Sequence, residues 1–190
     1  MIEDDRRMTP EQTRALDRFL ADVERRAYIM AHVATKSRED ALDLVQDAML
    51  TLVQRYHSRS EHEWGPLFYR VLQNKIRDWR RRTAVRNRWR GFLTRWRNDE
   101  NDETDPIQQV EDKGGIGPEK QHLIDQTTKA LMTALHLLPP RQQQVFLLRA
   151  WEGMSVARTA FVMQCSEGSV KTHYSRAIHA LRTELREYWQ

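Results

Sequence analysis

Between Ser155 and Leu185 two short amphipathic segments meet at a tight turn carrying Ser166, Glu167 and Gly168, which reads as a helix-turn-helix. Ser155 can cap the first segment, where Val156, Ala160 and Met163 share one face at helical spacing. In the second, Val170, Tyr174, Ala177, Leu181 and Leu185 recur at three and four residues. That stripe leaves Lys171, Thr172, Ser175 and Arg176 pointing outward near the helix start, where a recognition helix reaches base edges. An ordinary helical hairpin with a solvated polar face produces the same pattern. The motif alone leaves DNA binding open.

The remainder of the chain is also helical in pattern, and the predicted fold class is all-α. Glycine and proline are sparse, and no run of alternating β-branched residues lies between turn signals. Thr9, Pro10 and Gln12 form a helix start with a capping-box partner, followed by Leu16, Leu20, Val23, Ala27 and Met30 on one face. Ser37 and Asp40 open a second helix with the inward stripe Ala41, Val45, Ala48, Leu52 and Tyr56. Its other face carries Asp43, Gln46 and Asp47 with Leu44 beside them, either a docking patch or a solvated face. His57 to Glu63 reads as a polar loop, and Gly65 and Pro66 as the start of a third helix with Phe68, Leu72, Ile76 and Trp79 inward and Asn74, Arg77 and Asp78 on another face. The pattern restarts at Thr83 with Val85, Trp89, Phe92 and Trp96. After Pro118, Leu123, Ile124, Thr128, Leu131, Leu135 and Leu138 make one helix, and Pro140 starts a short one carrying Val145, Phe146 and Ala150, stopped by Gly153.

Charge divides the chain further. From Lys75 to Arg97 it carries about +9, and from Asn98 to Lys113 about −6. The basic stretch predicts a polyanion partner, and its interleaved Trp residues offer stacking surfaces suited to single-stranded nucleic acid, although helical spacing also fits Trp79, Trp89 and Trp96 as core. Residues 98–117 lack apolar periodicity and include Gly114, Gly115 and Gly117, so the expected organisation is a helical domain at 1–97, a flexible acidic linker at 98–117 and a helix-turn-helix domain at 118–190.

Other classes are disfavoured. No apolar stretch reaches membrane-spanning length and no signal-peptide core follows Met1, so a cytoplasmic protein without membrane insertion is expected. Cys165 is the only cysteine, excluding an intramolecular disulfide, and its expected place is filling space in the turn. The histidines, His32, His57, His62, His122, His136, His173 and His179, fall in no metal-ligand spacing, and no phosphate-cradling loop or nucleophile elbow is present. Neither catalysis, a metal nor a cofactor is expected.

Three segments in order resemble bacterial RNA polymerase sigma factors of the extracytoplasmic-function (ECF) group. They are DALDLVQDAML at Asp40 to Leu50, LFYRVLQNKIRDWRRR at Leu67 to Arg82, and Leu138 to Arg182 around the helix-turn-helix. The resemblance implies that the chain binds core RNA polymerase through Asp43, Leu44, Gln46 and Asp47. It implies minus-ten recognition and melting by Asn74, Lys75, Arg77 and Asp78 with Arg80, Arg81 and Arg82, and a loop of Tyr56, His57, Ser58 and Arg59 that helps hold a flipped base. The minus-thirty-five element would be read by Ser169, Lys171, Thr172, His173, Ser175 and Arg176, with Arg149 a candidate backbone contact. Promoter DNA, both duplex and single-stranded, is thus an implied partner, and an anti-sigma protein a further one. The acidic linker would thread the polymerase cleft, either mimicking RNA or simply aiding solubility.

Three positions depart from the family pattern. Arg158, Thr159 and Ala160 replace a usual Glu-Ile-Ala, so α-helix packing there is expected to loosen or the Thr159 hydroxyl to bond the preceding turn. His173 stands where arginine is commoner. The competing reading is a stand-alone helix-turn-helix regulator, which leaves the Asp43 to Asp47 patch and the basic Trp-rich segment without a role.

Overall fold

The computed structural model describes residues 8–93 and 118–186, with side chains described at 8–86 and 126–186. The expected linker at 98–117 lies outside the described residues, as do the side chains of Trp89 and Trp96. Among the described residues there are seven α-helices and no strand, as the spacing predicts.

Helix α1, Pro10–Thr35, starts at a capping box: Thr9 Oγ1 accepts from Gln12 N at 3.2 Å and Gln12 Oε1 accepts from Thr9 N at 3.0 Å. Thr9→Ala is expected to cost about 1 kcal/mol in chemical denaturation, with Thr9→Ser retaining the wild-type midpoint. The helix ends at Lys36 in the left-handed region, and Ser37 caps α2, Arg38–Tyr56, by accepting from Asp40 N at 3.2 Å.

Helix α3, Glu61–Leu93, departs from expectation at both ends. It begins four residues before Gly65, within the segment expected to be a polar loop. Ser60 donates from its amide and its hydroxyl to the Glu63 carboxylate at 3.2 and 2.5 Å, closing the first turn. Those two bonds hold Glu63 below its ordinary 4.5. Trp64 is buried against Phe19, with ring centroids 5.8 Å apart, so packing also draws that turn inward. Pro66 is accommodated because it forfeits only one bond near the helix start. No break occurs at Thr83, and α3 runs on as one helix.

In the second half α4 spans Pro118–Leu137 and α5 spans Pro140–Phe146, followed by a π-helical turn at Leu147–Trp151. The wide turn shifts the inward face, so that Leu147 and Leu148 are buried and Ala150, expected inward, is exposed. Gly153, at φ +68°, reverses the chain into Ser155, which caps α6, Val156–Met163.

The turn of the helix-turn-helix sits earlier than expected. Gln164 takes the left-handed conformation at φ 53°, Ser166 caps α7, Glu167–Glu184, and Glu167 and Gly168 belong to its first turn. The most buried side of α6 is Thr159, Val162 and Met163, with Val156 and Ala160 only half-buried. Thr159 is fully buried and its hydroxyl donates to the Ser155 carbonyl at 2.9 Å, satisfying the departure from the family pattern without loss of packing. Val170, Ala177, Leu181 and Leu185 are buried as their spacing predicts, with Tyr174 half-buried.

The two halves pack together. α1, α2 and α3 form one bundle, α5, α6 and α7 the other, and α3 lies along α6 so that the buried apolar residues make one continuous core.

Candidate nucleic-acid and partner interface

A groove of about 390 Å³ runs between α2 and α3, lined by Asp40, Asp43, Leu44 and Asp47 on one wall and Trp79, Arg82, Thr83 and Arg86 on the other. Asp43, Gln46 and Asp47 are exposed. Leu44, expected on that outward face, is instead buried at 5 % exposure. Positions 41, 44, 45, 48 and 52 form one apolar stripe at helical spacing, and Leu44 is part of it. Only its edge borders the groove.

Lys75 Nζ lies 3.3 Å from Asp47, tying α3 to this acidic wall. On the neighbouring polar face, Asn74 is half-buried and its Oδ1 accepts from Arg77 at 3.1 Å. Asp78 pairs with Arg81 at 3.7 Å, and Arg77, Arg81 and Arg82 are exposed. Arg80 does not join them. It turns toward the second half and donates to Gln143 Oε1 at 2.6 Å, and burial pushes its guanidinium below its ordinary range.

At the end of α2, Tyr56 is half-buried against the core, His57 Nδ1 meets the Val53 carbonyl at 2.9 Å, and Ser58 and Arg59 are exposed. The turn places all four beside one another, with the Arg59 amide closing it on the Tyr56 carbonyl.

Lys171, Thr172, Ser175 and Arg176 form an exposed strip on α7. Thr172 donates its hydroxyl to the Gly168 carbonyl at 3.0 Å, and Ser169 shares a 2.9 Å bond with the cap Ser166. Ser169 and His173 are half-buried. Arg149, expected to project toward a DNA backbone, is turned inward. Its guanidinium donates to the Met154 carbonyl and lies 5.7 Å from the Tyr174 ring centroid, bracing the π turn against α7.

One cluster is invisible to local pattern because its members are far apart in sequence. Glu152 Oε2 accepts from Tyr69 Oη at 2.5 Å and lies 3.1 Å from Arg26 Nε, and Arg26 also binds Asp22 at 2.8 Å. Burial raises the Glu152 carboxyl above its ordinary value against the pull of Tyr69 and Arg26. Tyr69 is raised by its own burial and by donating to that carboxylate. For Arg26, burial is the largest single influence and opposes the charge, but Glu152, Tyr69 and Asp22 together outweigh it and the group is raised. Among the described residues no cluster of His, Cys, Asp or Glu is arranged to hold a metal ion.

Comparison with known proteins places both halves. Residues 15–86 match the model for sigma-70 region 2 and residues 128–181 that for sigma-70 region 4. The chain is 30% identical to the RNA polymerase sigma-E factor of Streptomyces avermitilis over 147 residues, 77% of this chain and 71% of that protein. It is 26% identical to the ECF RNA polymerase sigma factor SigD of Mycobacterium tuberculosis over 166 residues, 83% of this chain and 70% of that one. Its fold is similar to CnrH in complex with the cytosolic domain of CnrY, at 19% identity and TM-score 0.59, covering 92% of this chain and 90% of that one. It is also similar to RpoE of Bartonella quintana in complex with the anti-sigma factor NepR, at 19% identity and TM-score 0.56, covering 93% and 94%. A stand-alone regulator does not account for region 2 matched beside region 4. With an α2–α3 pair, a helix-turn-helix and relatives of this kind, the chain belongs to the ECF group of sigma-70 RNA polymerase sigma factors, initiation factors that direct the polymerase to promoters and are generally non-catalytic.

Proposed function

We propose that residues 1–97 dock on core RNA polymerase and read and open the minus-ten element, that 118–190 read the minus-thirty-five element, and that 98–117 tether them. One observation carries this reading: the exposed acids of α2 are joined through Asp47 and Lys75 to α3, the helix that holds Asn74 and Arg77 on its neighbouring polar face. A rigid pair of helices thereby couples polymerase docking to base capture. Asn74 offers both a donor and an acceptor to a base edge, and Arg77, Arg81 and Arg82 hold the phosphates around it. Strand opening needs no covalent chemistry. It needs unstacked bases to be held better than stacked ones, at a few kcal/mol per base. The upstream contact of α7 adds to this through the tether, since the second contact becomes intramolecular.

The Bartonella relative was solved with an anti-sigma factor, and by analogy this chain is the target of such a protein. A cytoplasmic site of action fits that role, and among the described residues no helix is long and apolar enough to cross a membrane.

Transcription in vitro by core polymerase and this protein, with the transcripts sequenced, tests the reading. Asn74→Ala is expected to relax preference at one minus-ten base by about tenfold while leaving dependence on the upstream element intact. An unchanged minus-ten preference refutes the assignment.

A further inference from the structure

The two halves that must grip separated DNA elements are clasped together here, and the clasp covers the base reader. Gln164, at the left-handed position between α6 and α7, donates from Nε2 to Asn74 Oδ1 at 3.0 Å. That oxygen already accepts from Arg77, so both of its lone pairs are used. Arg80 is drawn away from the phosphate-facing arginines to Gln143, whose own amide donates to the Leu135 carbonyl at 2.9 Å. Arg70 lies over the Phe161 ring at 4.6 Å, a further contact between the halves, although the ring stays 42 % exposed on α6.

At the other end of the contact sits Glu152. Its side chain is 12% exposed, and both of its partners, Arg26 on α1 and Tyr69 on α3, come from the opposite half. Asp22 on α1 is the remaining charged group acting on it. A half-buried carboxylate pinned by a cation and a buried hydroxyl is a directional contact, unlike the apolar surface around it. It specifies one docking of the halves.

We propose that the polymerase-free chain holds itself closed without any other protein, with Glu152 as the latch and Gln164 as an internal stand-in for the base that Asn74 reads. The second part rests on the assignment of Asn74 as a base reader. Engagement of the two halves by polymerase on separated DNA elements then competes with the latch, which joins α1 and α3 to Glu152, and the reader is uncovered only where there is a promoter to open.

The test uses the full-length chain without polymerase, with small-angle scattering for its dimensions and fluorescence anisotropy with a single-stranded minus-ten oligonucleotide for binding. Glu152→Arg places like charge against Arg26 and is expected to increase the radius of gyration. The swapped pair Glu152→Arg with Arg26→Glu is expected to restore compaction, which damage to folding would not. Gln164→Gly suits the left-handed backbone and removes the cap without unfolding risk, and is expected to raise oligonucleotide affinity about tenfold. Unchanged dimensions in Glu152→Arg overturn the latch, and unchanged affinity in Gln164→Gly overturns the cap. Failure of Asn74→Ala to alter transcription with polymerase removes the base-reader assignment instead, while the scattering result still decides whether the chain is latched.

Discussion

Asp43→Ala with Gln46→Ala will weaken binding to core RNA polymerase by about a hundredfold, while far-ultraviolet circular dichroism shows helicity unchanged. Both side chains are exposed on the middle of α2, and alanine there favours the helix. The loss therefore belongs to the interface. Truncating one member of a desolvated, hydrogen-bonded charge pair across an interface costs about 2–5 kcal/mol, and Asp43 on the groove wall stands where such a pair would form. Fluorescence titration of labelled protein with core polymerase measures the effect. Association equal to wild type would sink the docking assignment and return the acids of α2 to the status of a solvated face.

The second large effect is expected at α7. Lys171→Ala and Arg176→Ala will each lower initiation at promoters with an intact upstream element by about tenfold to a hundredfold, the worth of a good base-edge contact. Initiation on templates with that element scrambled will change little. Both side chains are exposed, Lys171 in the second turn of the helix and Arg176 at its middle, and neither is used in packing. Thr172 is a useful contrast, because its hydroxyl is already committed to the Gly168 carbonyl and its replacement is expected to matter less. A uniform loss across all template sequences would show Lys171 and Arg176 to be phosphate contacts.

Local signals carried most of the helices. The capping box at Thr9, the cap at Ser37 and the stripe from Val170 to Leu185 depend on residues within a turn or two of one another, and each behaves in the structure as its spacing predicts. Where two local signals competed, the outcome was less legible. At the start of α3, Ser60 and Glu63 together with burial of Trp64 prevailed over the breaker Gly65 and Pro66. The burial of Leu44 was available in the 41, 44, 45, 48, 52 spacing, whereas the exposure of Ala150 was not, since it follows from a π turn with no sequence signature of its own.

The surface residues show the same division. Lys171, Thr172, Ser175 and Arg176 are on the exposed strip that periodicity assigned them, because a helix presents its polar face whatever it packs against. Arg80 and Arg149 are not where the family resemblance implied them, because a long cation goes to whichever acceptor the fold brings near, here Gln143 and the Met154 carbonyl.

By itself, then, the sequence determined an all-helical chain, the helix-turn-helix, the acidic face of α2 and the family to which their order belongs. These rest on periods of three to four residues and on motifs contiguous in the chain. Only the tertiary structure decided that the halves close on each other, that Glu152 meets Arg26 and Tyr69, and that Gln164 reaches Asn74. Those partners stand 83 and more residues apart, and which polar groups meet across that distance is set by how two apolar faces dock, which no local pattern encodes.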